Sequence, residues 1–212
     1  MPLATVIERM PSRWSSATRH EFLAAVGAGI DGSAEAFARW MAQDVVFVRD
    51  LIAFQSRLVA RAPRSAQRVL AEGVVGLLAE LDWFDEQADV LGIDLDADPL
   101  PVTLDYRRLL QRLDTQPCPI AMVGLWTLER VYLEAWRYAG GAGSGPFAAA
   151  VEHWTDPGFA EYVARLEQAA DASSADAPID QVLDTVREIL TLECAFWDMA
   201  WPSTKAGEAG GP

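Results

Sequence analysis

Glu129 stands in the run from Trp126 to Trp136, which contains neither glycine nor proline. At helical spacing Trp126, Glu129, Tyr132, Leu133 and Trp136 share one face. That face is apolar and aromatic, with a carboxyl at its centre. Acids enter such surroundings only when something pairs with them or uses them. Two other stretches repeat the arrangement, Asp44 with Phe47 and Glu193 with Phe196, each acid three residues before its ring. That spacing puts acid and ring on neighbouring turns. Singly, each pair reads as a core ring with an acid at its edge. Three such pairs, each set among Trp and Leu, predict acids that converge on one pocket. A carboxylate there can act as a base for water or as an acid for a departing nitrogen. Glu80, beside Trp83 and Phe84, ranks below these, because Asp82, Asp85 and Glu86 give its helix a solvated acidic side.

The elements that must carry these residues are all helical. A short helix is predicted from Leu3 to Met10, and another from Ser15 or Ser16 to Val26, ended by Gly27 and Gly29. Ser33 opens a long helix reaching Arg61, stopped by Pro63. On it Phe37, Trp40, Met41, Asp44, Phe47, Val48, Leu51 and Leu58 recur at threes and fours. Ser65 to Leu91 follows, with Gly92 as its stop. A loop from Asp94 to Pro101 leads to a helix from Leu104 to Leu113 that carries Tyr106. The Glu129 helix comes after Pro117 and Pro119 and ends near Tyr138. A Gly-rich loop covers 139–146, two shorter helices run over 147–154 and 158–170, and the last helix spans Asp180 to Trp201. No stretch alternates as a strand does, so the chain reads as an all-α bundle of about eight helices. One domain over 1–202 and a disordered tail over 203–212 are expected.

Composition narrows the function. The chain has 212 residues, 51% of them hydrophobic, enough for one sizeable core. A net charge of −14 argues against nucleic acid or an anionic membrane as partner. No apolar run is long enough to cross a bilayer, so a cytoplasmic protein is expected. The two cysteines and two histidines show no metal-binding spacing. Cys118 lies eleven residues before Glu129, ~16 Å along a helix axis, and Cys194 points ~100° away from Glu193. Both thiols read as inert and buried. His20 and His153 read as structural or surface residues. No metal or cofactor is expected.

The motifs also have a recognisable order: Arg19 to Leu23, Trp40 with Gln43 and Asp44, Glu80 with Gly92 and Ile93, Tyr106, Glu129 to Tyr132, Trp154 with Phe159, and Glu193 with Phe196 to Asp198. From about residue 14 to 201 the chain resembles the TenA family, thiaminase II type proteins of thiamine salvage with a haem-oxygenase-like helical fold. The resemblance implies a pocket for the aminopyrimidine half of thiamine. Asp44 would hydrogen-bond the pyrimidine nitrogen and exocyclic amine, and Tyr106 would orient the catalytic apparatus. Phe47, Tyr132 and Phe196 would enclose the ring, and Glu193 would shuttle protons to the leaving group. Thiaminase II proper has a cysteine nucleophile where Glu129 stands, so the chain looks like the glutamate branch, TenA_E. A tyrosine that the family pattern places shortly after Trp154 is missing, because residues 156–158 are Asp, Pro and Gly. The resemblance also implies a homodimer or homotetramer.

A carboxylate is a poorer nucleophile than a thiolate but a good base, so the exchange points from covalent displacement to direct hydrolysis. The expected substrate is an aminomethyl- or formylaminomethyl-pyrimidine from degraded thiamine. Glu129 would activate water, Glu193 would protonate the leaving nitrogen, and Asp44 would stay ionised; the two glutamates could exchange roles. Crowded carboxyls should raise at least one pKa. Two alternatives stand beside this reading. One is an inactive aminopyrimidine-binding or regulatory homologue. The other is a di-iron oxidase of haem-oxygenase-like fold, which would need carboxylates with His at i, i+3 on facing helices.

Overall fold

The computed structural model describes residues 1–143 and 145–201. All its regular structure is helical, in the order α1 (Leu3–Glu8), α2 (Pro11–Thr18), α3 (Glu21–Ala28), α4 (Ser33–Arg61), α5 (Arg64–Leu91), α6 (Pro101–Thr115), α7 (Cys118–Gly141), α8 (Ala148–Trp154), α9 (Pro157–Ser174) and α10 (Ile179–Ala200). The arrangement is a haem-oxygenase-like helical bundle. The tail expected to be disordered over 203–212 lies outside the described residues.

Four long helices do most of the positioning. Helix α4 packs along α5 and α6, while α7 packs on α9, α3 and α10. Each owes its form to an apolar stripe with the helical period and to its terminators. Gly92 ends α5 in the left-handed conformation, at φ 67°, where a β-carbon would be strained. Gly29 does the same for α3, at φ 63°.

Several helix ends differ from expectation, α9 for instance reaching Ser174, and three of the differences bear on packing. The single helix expected from Ser15 to Val26 is two, because the chain bends at Arg19 and His20. His20 Nδ1 accepts from the Phe22 amide at 3.2 Å and so caps α3. Gly27 belongs to α3 rather than ending it; a β-carbon there would lie 2.1 Å from the Ala139 carbonyl oxygen, so the glycine lets α3 and α7 approach. Helix α7 absorbs Ala139 to Gly141 from the stretch expected to be loop.

The core is aromatic at one level of the bundle. Trp40, Trp136 and Trp154 are fully buried, with ring centroids 4.2 Å apart for Trp136–Trp154 and 5.1 Å for Trp40 with each of the others. Together with Phe37 and Phe84 they tie α4, α5, α7 and α8 into one block. Gln43 fixes a second contact. Its Oε1 accepts from Thr103 Oγ1 at 2.6 Å and the Leu100 amide at 2.8 Å, and its Nε2 donates to the Asp98 carbonyl at 3.1 Å. That clamp holds the start of α6, and hence Tyr106, against α4.

Candidate active site

Four carboxyls from four helices line one inner chamber: Asp44 from α4, Glu80 from α5, Glu129 from α7 and Glu193 from α10. Phe47, Tyr132 and Phe159 complete its aromatic wall. The chamber is about 30 Å³, space for about one water. It adjoins an outer cavity of about 590 Å³ between α5, α8 and α9, with Leu77, Glu80, Glu129 and Phe159 common to both. Among the described residues, no lysine, arginine or histidine lines the inner chamber.

Burial without a cation sets the electrostatics, because the charged form of each acid loses its hydration. Burial raises Glu129 to about 8, helped by the charge of Glu80 and opposed by a hydrogen bond with Tyr162. Glu80 and Glu193 are each raised to about 7, again mainly by burial. Glu80 accepts from Trp154 Nε1 at 2.9 Å, so the tryptophan block fixes its carboxyl. Asp44 is held well above the usual carboxylate range by burial, then by the charges of Glu80 and Glu193, although Tyr132 donates to its Oδ2 at 3.3 Å. Burial and the neighbouring carboxyls therefore work against the expected ionised Asp44. A bound cation would favour its charged form by supplying positive charge.

Of the residues singled out from sequence, Asp44, Phe47, Glu129, Tyr132 and Glu193 line the chamber. Tyr106 and Phe196 stand one layer back, packed against Phe47 with centroids at 4.8 and 6.4 Å. The buried Tyr106 hydroxyl faces Glu193 and lowers that acid's pKa, as Tyr162 does for Glu129, while burial and the charge of Glu193 raise its own. Helix α7 begins at Cys118, which places that thiol about three turns from Glu129. Cys118 and Cys194 are free and partly buried, so the expected burial holds only in part. His20 Nε2 lies 3.2 Å from Asp198, and His153 stacks on Trp83 with centroids at 4.3 Å.

Three further residues belong to the site. Glu80 sits centrally, and the buried Leu77 and Phe84 on the same stripe of α5 carry the signal for it. Tyr162 hydrogen-bonds with Glu129. It follows Phe159 by one helical turn and supplies a tyrosine on α9 although none stands in residues 155–158. Gln55, fully buried on α4, donates to the Tyr162 hydroxyl at 3.1 Å and to the Leu70 carbonyl at 2.8 Å. These two meet over Gly73. A β-carbon on Gly73 would lie 2.1 Å from Gln55 Nε2 and 2.3 Å from the Tyr162 hydroxyl.

Comparison with known proteins gives a consistent picture. A "Probable bifunctional TENA-E protein" from Glycine max is 26% identical over 201 residues, covering 88% of this chain and 87% of the relative. A TenA homologue from Pyrococcus furiosus superposes with a TM-score of 0.88 at 24% identity, over 95% of this chain and all of that one. A candidate TenA-like thiaminase from Sulfolobus solfataricus gives a TM-score of 0.81 at 15% identity, over 94% of this chain and 95% of that one. The TENA/THI-4/PQQC family model matches residues 7–203, nearly the whole chain, and the chain therefore belongs to that family.

Proposed function

We propose that the protein is a hydrolase of thiamine breakdown products, cleaving formylaminomethyl- or aminomethyl-pyrimidines by carboxylate-assisted attack of water. The observation that carries this is the convergence of Asp44, Glu80, Glu129 and Glu193 on one chamber that no basic side chain lines among the described residues. Such a site favours a ligand that brings protons, and a protonated aminopyrimidine does.

Asp44 faces the ring nitrogen and exocyclic amine, and a protonated ring favours its charged form. Phe47, backed by Tyr106 and Phe196, and Tyr132 hold the ring. Phe159, half-buried at the start of α9, swings aside to admit it, since the chamber alone is too small. Glu129 takes a proton from water, whose oxygen adds to the carbon bearing the leaving nitrogen. The C–N bond breaks as Glu193 gives a proton to that nitrogen. The formamide yields formate and an amine, and the amine yields an alcohol and ammonia. The curated relative named TENA-E and the likeness to a TenA-like thiaminase support this class of reaction. The protein acts as a single domain over 1–202, with no metal or cofactor.

The test is incubation of the purified protein with each pyrimidine in ¹⁸O-labelled water. Label in formate or in the hydroxymethyl product supports the proposal. Tight binding of an aminopyrimidine with no product supports instead a binding or regulatory protein.

A further inference from the structure

Helix α5 carries two interior glycines one turn apart, and their surroundings differ. Glycine weakens a helix interior, so each calls for a reason. Gly73 has one in packing, since Gln55 and Tyr162 occupy the place of its β-carbon. Gly76 has none: it is exposed where the cavity opens to solvent, and a β-carbon there would meet nothing within 4 Å. Both line the outer cavity. At about 590 Å³ that cavity is of the size that takes a whole small organic group.

Its position relative to the reaction centre gives it a direction. Glu80 and Glu129 stand on the boundary between the two spaces. A substrate whose ring lies toward Asp44 and whose scissile bond lies at Glu129 must project its other end outward, across Gly76. The charge there is selective. Arg165 is engaged by Glu72 at 2.5 Å, and Glu80, Glu129 and Asp156 remain on the same walls. With Arg165 taken up by Glu72 and Asp156 nearby, an anionic group gains less there than an uncharged one.

Resting on the reading of the previous section, we infer that the outer cavity is an acyl-group site, and that the enzyme hydrolyses pyrimidinylmethyl amides with uncharged acyl groups larger than formyl. The balance is that of any amide hydrolysis. Glu129 removes a proton from water, the oxygen bonds to the acyl carbon, and the C–N bond breaks. The nitrogen takes a proton, releasing a carboxylic acid and the aminomethylpyrimidine.

The experiment compares kcat/KM of the full chain on the formyl, butanoyl, benzoyl and succinyl amides of one aminomethylpyrimidine, following the released amine. Butanoyl and benzoyl amides should be cleaved within roughly tenfold of the formyl amide, and the succinyl amide roughly tenfold worse than the butanoyl. Gly76→Leu should lower the benzoyl-to-formyl ratio by roughly tenfold or more. An enzyme that consumes the formyl amide and refuses the larger ones overturns this inference alone. So does a Gly76→Leu variant in which both amides fall in proportion. Failure to consume any amide or the free amine overturns the proposed function, and this inference with it.

Discussion

The side-chain amide of Gln55 donates to the hydroxyl oxygen of Tyr162 at 3.1 Å, and that contact sets where the tyrosine's own proton can go. The Leu70 carbonyl can only accept, so the nitrogen of the Gln55 amide must face it. The same nitrogen occupies a lone pair on Tyr162. The phenolic proton is left to Glu129, which it stabilises in the charged form that a base requires. Tyr162→Phe should therefore lower kcat by roughly tenfold to a hundredfold with little change in KM. Steady-state kinetics check it. A KM effect alone would make Tyr162 a binding residue.

The two glycines of α5 should respond oppositely to the same change. Gly73→Ala drives a methyl into Gln55 and Tyr162 and should cost ~1–3 kcal/mol of stability along with activity. Gly76→Ala adds its methyl in open space and should stabilise the helix by about 1 kcal/mol. Urea unfolding of both variants measures the difference.

Stability should depend on pH in a stated direction. Glu80, Glu129 and Glu193 are raised from 4.5 to about 7, about 8 and about 7. The folded state thus holds protons that the unfolded chain releases. Their stabilising effect is complete below pH 4.5 and is lost as pH rises through 7 to 8. The unfolding free energy should fall between pH 5.5 and 8.5, by an amount on the order of a few kcal/mol. Glu129→Gln should flatten the curve. A protein more stable at pH 8.5 than at 5.5 would contradict the buried, uncompensated cluster.

Activity should follow the same groups. With one glutamate ionised and the other protonated, kcat/KM should be bell-shaped, its limbs near the 7 and 8 of Glu193 and Glu129. These values belong to the coupled set, and exchanging the two roles gives the same bell. Glu193→Gln should remove one limb. A profile flat from pH 6 to 9 would count against both assignments.

Much of the bundle could be read from the chain because α4, α5, α7 and α10 carry long apolar stripes. The acid-and-ring spacing on three of them was equally visible, and it places Asp44, Glu129 and Glu193 on one chamber. Glu80 was harder. Its exposed neighbours Asp82, Asp85 and Glu86 mask a stripe that Leu77 and Phe84 define. The Gln55–Tyr162 link could not be read at all, since it joins residues 107 positions apart through a space opened by Gly73. The raised pKa of Asp44 likewise depends on burial and on like charges from α5 and α10, which only the folded arrangement brings about.

The central claim is that Glu129 performs chemistry rather than merely lining a pocket. Turnover of the formylaminomethyl- and aminomethyl-pyrimidines by Glu129→Gln, set beside calorimetric binding of the aminopyrimidine, tests it most directly. The account predicts a loss of kcat of at least roughly a hundredfold with binding nearly intact. Undiminished hydrolysis by that variant would contradict it.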